Sequence, residues 1–339
     1  MQTSIDTSVG QAGQGGASAL TSIQASVRSE LDQVGSELRR IVLSDFDMIE
    51  EVNEHLLLRQ GKLFRPTLLL LSSRVSGEPH PDSRTLAAVV ELVHLATLVH
   101  DDAVDHSVLR RGMPTVNALW THQVAIIMGD YLYSRAVTEL AQLGHLDALA
   151  VLAGAANEMS VGEMRQLTSF DALDFTEQDY YRLIAAKTAS LMSASCEMGS
   201  LAGGAECREQ LALFGHNLGM AFQIADDLLD YTGSEAVTGK PTGQDLREHK
   251  VTLPLVGALA SASEAEELEI RTLFTRVAPS DDKIEQVVGI VTDRGGLEYA
   301  RSRAEDYADL ARASLTDLPE SSAVAALHDA VAYAVDRRR

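Results

Sequence analysis

LALFGHNLGMAFQIADDLLD, residues 211–230, carries Leu211, Phe214, Leu218, Phe222 and Leu229 at steps of three, four, four and seven. Such steps put side chains on one face of an α-helix, because 3.6 residues complete a turn. The same spacing recurs outward in both directions. Ile23, Val27, Leu31, Val34 and Leu38 form one stripe, and Leu86, Val89, Val93 and Leu95 begin another. Gly and Pro fall between the stripes, as in Gly77-Glu78-Pro79-His80-Pro81 and Ala278-Pro279. Alternating strand patterns with hairpin turns are scarce. The pattern predicts about a dozen helices in one all-α domain over residues 21–339, with no sheet and no solenoid repeat. Residues 1–20, rich in Gly, Gln, Ser, Thr and Ala, read as a mobile tail without a chemical role.

Composition agrees with helices. Hydrophobic residues make up 45% of 339, enough for a sizeable core, while aromatics are only 5%. Net charge is 28 − 49 = −21. Nucleic acid or an anionic membrane is therefore excluded as a main partner by repulsion. Contact with a membrane is left only as a transient event of product release. A small anionic substrate stays open, since a cleft can hold cations under an acidic surface. Cys196 and Cys207 have no zinc-ligand company and read as buried thiols in a reducing cytosol. No apolar run reaches the ~18–20 residues of a membrane span. No signal-peptide pattern opens the chain. A cytoplasmic location follows as the expectation.

The end of the quoted stretch, Asp226-Asp227-Leu228-Leu229-Asp230, repeats an earlier one, Asp101-Asp102-Ala103-Val104-Asp105. In each, the first and last Asp lie four apart, on one helical face. Like charges so placed repel and cost helix stability, so they call for a cation. Few, hard, helix-borne oxygens suit Mg²⁺, which keeps waters and shares phosphate oxygens. With 25 Asp in the chain, random placement gives roughly 0.14 such matches, and two occur by chance on the order of 0.01 of the time. Leu98-Val99 and Ile224-Ala225 precede the two motifs, which suggests half-buried helices whose carboxylates need partners.

Basic residues accompany them: Lys62 and Arg65, His94 seven before Asp101, Arg110-Arg111, Lys187-Thr188, Gln223, Lys240 and Lys250. Arg grips planar oxygens bidentately and Lys acts as a compact charge. Singly, each has a bland reading. Arg110-Arg111 reads as a helix-end pair, His94 as a core histidine, Lys187 as the edge of a solvated face. As a set with two acidic walls and magnesium, they fit diphosphate. The Gly-rich stretch from Thr232 to Glu248 reads as a lid or as an ordinary surface loop.

GKLFRP (61–66), HLATLVHDDAVDHSVLRRG (94–112), Lys187-Thr188, FQIADDLLD (222–230) and GKPTGQDLREHKVTLP (239–254) together resemble the trans-isoprenyl diphosphate synthase, or polyprenyl synthetase, family. The likeness runs from about Leu56 to Leu259 and continues more weakly beyond. It implies an isoprenoid-synthase-type helical bundle whose aspartate helices face each other across a central catalytic cavity. It implies three Mg²⁺ held by Asp101, Asp105, Asp226, Asp227 and Asp230, with Asp102 in support. Arg110, Lys187, Thr188, Gln223, Lys240 and Lys250 then hold an allylic prenyl diphosphate, and Lys62, Arg65, His94 and Arg111 hold isopentenyl diphosphate. The family is commonly homodimeric. This chain departs from it at Ala103, at Met113 where Lys is frequent, and at His249 where Gly is usual.

In the family, the residues four and five before the first aspartate set product length. Here they are Thr97 and Ala96, with Val93 and Val89 deeper, all small. Ala96 to Val89 spans about 10 Å of helix. The expected product is hexaprenyl or longer, a precursor of quinone side chains. Closure lower down by Met128, Tyr131 or Met164 leaves a geranylgeranyl product as the alternative. A terpene cyclase is disfavoured by the complete second motif and the second basic set. A subunit of a heteromeric synthase remains a further alternative, against which all six aspartates argue.

Overall fold

The computed structural model describes residues 12–58, 61–110, 112–168, 174–232, 242–276 and 278–336. Among these, seventeen α-helical segments account for nearly all regular structure. They are α1 (Ala12–Gln24), α2 (Arg28–Ile41), α3 (Asp47–Leu57), α4 (Phe64–Ser72), α5 (Ser83–Val104), α6 (Val116–Leu119), α7 (His122–Leu143), α8 (Leu146–Thr168), α9 (Glu177–Ile184), α10 (Ser190–Ala202) and α11 (Arg208–Thr232). α12 (Gln244–Arg247), α13 (Leu253–Leu259), α14 (Glu264–Phe274), α15 (Asp281–Asp293), α16 (Gly296–Ser314) and α17 (Ser322–Val335) follow. The all-α expectation holds. The count exceeds a dozen because segments such as α6 and α12, four residues each, are too short to show a period.

Two details differ from the sequence reading. Helix α1 begins at Ala12, within the stretch expected to be a tail, and Leu20 and Ile23 are buried from it. A two-residue antiparallel ladder, β1 (Leu109–Arg110) with β2 (Met113–Pro114), stands where no sheet was expected. Ladders this short carry no alternation to read.

Helix α5 forms the centre. Leu86, Ala87, Ala88, Val89, Val90, Leu92 and Val93 are all at most 1% exposed. A helix apolar on every side must be surrounded, and α2, α4, α7 and α10 surround it. Helix α11 plays the same part in the second half, packed by α10 and α16. Helix α10 approaches α4 so closely that a Cβ on Gly199 would lie 2.3 Å from the Leu69 carbonyl oxygen. Cys196 and Cys207 are free, buried thiols, as expected, and burial pushes Cys196 up to about 12. Among the described residues, no helix is long and apolar enough to cross a membrane.

Candidate active site

The first acidic motif closes α5. After several buried turns, the last turn presents Asp101 and Asp102, and Asp105 is the C-cap, its N–H donating to the Asp101 carbonyl at 2.8 Å. The chain then turns through His106 at φ 51°, a left-handed conformation that ends helices. Asp105 is exposed at the helix end rather than set on its shaft. Asp102 is buried, and Arg110 Nε donates to both of its oxygens at 2.8 Å. The small hairpin explains this pairing. With Arg110 opposite Met113 and Gly112 at φ 77°, the chain doubles back and brings the guanidinium beneath the helix end. Burial raises the Asp101 carboxyl above its usual range, and the Lys187 charge opposes the shift.

The second motif shares with the first a buried middle residue, but all of it lies within α11. Its middle residue, Asp227, is buried and accepts from the Tyr180 hydroxyl at 2.6 Å and from Gln223 Nε2 at 2.8 Å. Burial, then the charge of Asp245, pushes it well up. Asp226 is exposed. Asp230 accepts the backbone N–H groups of Gln244 at 3.0 Å and Asp245 at 2.9 Å. It thus satisfies the free donors that begin α12, a task its reading as a metal ligand did not foresee. Asp245, held there, is pushed up to about 7 by burial and by Asp230. Sequence reading missed Tyr180 and Asp245. Tyr180 belongs to no motif and lies 47 positions from its partner. Asp245 lies in the Gly-rich stretch 232–248, where no carboxylate spacing sets it apart.

Between the motifs runs a π-helical turn, Ala185–Ala189, continuous with α9 and α10. Such turns are rare and frequently functional. It carries Lys187 and Thr188. Lys187 pairs with Glu163 at 2.5 Å and donates to Gln166 at 2.9 Å, both on α8, while its charge acts on Asp101. The Thr188 hydroxyl donates to Gln223 Oε1 at 2.7 Å, and Gln223 passes the line on to Asp227. Lys250 supplies a second link. Burial works to lower its ammonium, but Glu248, Asp105 and Asp245 outweigh that and raise it. Two basic residues therefore stand in the field of the first motif, and each also neighbours residues around the second.

The residues assigned to isopentenyl diphosphate gather at the start of α4. Arg65 Nη1 lies 3.2 Å from His94 Nε2. Lys62 is exposed and donates to the Tyr333 hydroxyl at 3.1 Å. Phe64 stacks on Phe222 with ring centres 5.7 Å apart, which fastens this turn to α11 just before its aspartates. Arg111, Lys240 and the glycine-rich part of the expected lid, 233–241, lie outside the described residues. The remainder of that stretch is Thr232, at the end of α11, and α12 with its flanks.

Leu63, His106 and His249 have φ of 50°, 51° and 56°. Each sits beside a candidate site residue, Lys62, Asp105 or Lys250, while a fourth such residue, Ala205 at φ 67°, lies in the turn after α10. Left-handed backbone at non-glycine residues clusters at functional sites. It also accounts for His249. The position needs the conformation glycine adopts freely, and His249 holds it with its ring against Phe274, 5.8 Å between centres.

The donor set fits magnesium. Every candidate ligand is a carboxylate oxygen, the hard donor that Mg²⁺ takes. Asp101, Asp227 and Asp245 are all raised by burial first, and all three also by neighbouring carboxylates. That is the signature of carboxylates gathered with too little positive charge, which a divalent cation corrects.

Comparison with known proteins agrees with this geometry. The polyprenyl synthetase family model matches residues 46–291. Heptaprenyl diphosphate synthase component 2 of Geobacillus stearothermophilus is 36% identical over 93% of this chain and 98% of its own length. A decaprenyl diphosphate synthase structure from Rhodobacter capsulatus superposes with a TM-score of 0.88, 38% identity, and coverage of 94% of this chain and 98% of that one. A polyprenyl synthase from Caulobacter crescentus, solved with calcium and isoprenyl diphosphate, gives 0.89 at 33% identity over 94% and 98% of the two chains. With one helical architecture, two aspartate motifs and near full-length similarity in agreement, this chain belongs to the polyprenyl synthetase family.

Proposed function

We propose that this chain is a prenyltransferase joining isopentenyl diphosphate head to tail (1'-4) to an allylic prenyl diphosphate, giving an all-trans product of hexaprenyl length or longer. The observation that carries the reading is the line from Thr188 through Gln223 to Asp227, with Lys187 acting on Asp101 from the adjoining position. It ties both acidic motifs to one short π-helical turn. Bound Mg²⁺, three ions in this reading, supplies charge neutralisation of the diphosphate oxygens.

The chain's own residues do the rest. Asp101, Asp105, Asp226, Asp227 and Asp230 would hold the cations. Asp102, fixed by Arg110, keeps the end of α5 in place. Lys187 and Lys250, with Lys240 and Arg110, bind the allylic diphosphate. The allylic C–O bond breaks and its electron pair leaves with the diphosphate, where positive charge already waits. Oxygens of Thr188 and Gln223 face the resulting cation. Lys62, Arg65, His94 and Arg111 orient isopentenyl diphosphate. Its alkene carbon bonds to the cation, and the proton lost passes to the departed diphosphate. No separate protein base is required.

Product length follows from the small side chains of Ala96, Val93 and Val89, all buried in α5, with Thr97 beside them. Of the residues considered for closing the passage, Met128 is buried, Tyr131 donates its hydroxyl to the Val42 carbonyl at 2.9 Å, and Met164 is exposed. Exposed apolar side chains on α7 and α8, Ile126, Ile127, Val161 and Met164, support a homodimer. The related component 2 protein keeps a heteromeric partner in view.

The test is diphosphate release by the purified chain. Release with farnesyl and isopentenyl diphosphates together, but not with farnesyl diphosphate alone, is the expected result. Release from farnesyl diphosphate alone would make the chain a cyclase or hydrolase. Chromatography of the dephosphorylated products reads the length.

Tyr180→Phe probes the buried side of the site. It removes one hydrogen bond to a buried carboxylate, worth about 1.5–3 kcal/mol. Turnover is expected to fall about 10-fold or more, with the circular dichroism spectrum unchanged. Parental kcat at matched Mg²⁺ would show that Asp227 needs no such support.

A further inference from the structure

We infer that His80, Asp82 and His145 form a binding site for one transition-metal ion of the zinc class, separate from the aspartate motifs. Among the described residues, they are the one group of three or more candidate ligands whose ligand atoms all lie within 4.8 Å of one another. Asp82 Oδ2 lies 3.2 Å from His80 Nδ1 and 3.1 Å from His145 Nε2. Two ligands about 2.05 Å from a tetrahedral zinc ion lie about 3.3 Å apart. The observed separations are within a few tenths of that, so an ion enters with little rearrangement.

The local structure holds the ligands in place. Asp82 stands at the N-cap of α5, where an aspartate usually accepts from its own helix. Its side chain makes no such bond and turns to the two imidazoles. His80 is anchored by its N–H, which donates to the Ala202 carbonyl at 3.0 Å. His80 Nδ1 also lies 3.3 Å from the Asp82 backbone N–H, a long contact that a metal ion would replace on the single lone pair of that nitrogen. His145 precedes α8, and its carbonyl accepts the Leu149 N–H at 2.9 Å. The ring centres of His80 and His145 are 5.9 Å apart, nearly perpendicular. Side-chain exposures of 55%, 30% and 31% leave water free to complete the coordination.

Chemistry separates this site from the catalytic one. Two imidazoles and one carboxylate suit zinc, cobalt or nickel, whereas all-oxygen sets suit magnesium. Distance separates them too. Ser83 and Asp101 bound about 27 Å of α5. An ion here would clip the turn before α5 to the start of α8, segments 63 residues apart in sequence. The inference does not depend on the prenyl-transfer reading.

The experiment uses the tag-free full chain, stripped by chelator and returned to excess Mg²⁺ so that the aspartates are occupied. Zn²⁺ is titrated by calorimetry, and Co²⁺ by visible absorption, into the parent, His145→Gln and Asp82→Asn. One ion per chain is expected in the parent. Loss of a direct ligand should weaken affinity by more than about 100-fold, beyond the 10–100-fold typical of groups that only orient ligands. Zn²⁺ should raise the melting temperature of the parent and of neither variant. Circular dichroism without metal checks that the variants fold. Equal binding in all three proteins would overturn the site and send the ion to the aspartates. No binding in the parent would overturn it as well, leaving Asp82 as a hydrogen-bonded bridge between two imidazoles.

Discussion

Asp101→Ala is expected to lose at least about 10³-fold in turnover while melting close to the parent. The activity loss follows from removing a cation ligand at the point where negative charge develops, where single electrostatic contributions reach 10²–10³-fold and metal contributions more. Stability should hold for a separate reason. Burial raises the Asp101 carboxyl, so its charge is unfavourable there until a cation arrives. Removing it relieves that cost and leaves Lys187 still paired with Glu163 and Gln166. Asp227→Ala should lose activity similarly but behave differently on heating. It would leave Tyr180 and Gln223 without their shared acceptor, at about 1–3 kcal/mol for an unsatisfied buried group. Steady-state rates at matched Mg²⁺, with thermal melts of both variants, check the pair. Parental turnover in Asp101→Ala would remove the first motif from the chemistry.

The contrast between these variants was not legible in the sequence. Asp-Asp-x-x-Asp reads as two outer residues on one face, whereas Asp105 caps the end of α5 and Asp230 stays within α11. What the sequence does not show is the shared fate of the middle residue. Asp102 and Asp227 are both buried, one on Arg110 and the other on Tyr180 and Gln223. Arg110 reaches Asp102 through a hairpin too short to carry a pattern, and Tyr180 arrives from a helix with no motif. Periodicity reports which face of an element is buried, not which partner meets it. The all-helical core was legible because long amphipathic runs such as 211–230 repeat their signal over many turns. Helix α12 was not, being a single turn begun by Asp230 accepting its N–H groups. The π-helical turn was hidden likewise. One extra residue shifts the apolar phase by about 100°, but the five residues AAKTA carry too few large apolar side chains to show it, yet the turn sets where Lys187 and Thr188 stand.

The small residues before the first motif carry the second large effect. Ala96→Phe is expected to shorten the product to geranylgeranyl length or below. Ala96 lies one and two turns above Val93 and Val89 on α5, and all three are at most 2% exposed. Two physical situations give that burial. If Ala96 borders the passage that receives the growing chain, a phenyl ring fills space that prenyl units would occupy. Elongation then stops early, and the fold is barely disturbed. If Ala96 packs against neighbouring side chains instead, the ring has no room. The cost is then about 1–3 kcal/mol of overpacking, with no reason for the product to change. Chromatography of the products and a thermal melt on one preparation separate the cases. Shorter products at a parental melting temperature assign Ala96 to the passage. A lowered melting temperature with unchanged products would place it in the core and move control of length to Met128, buried on the facing helix α7.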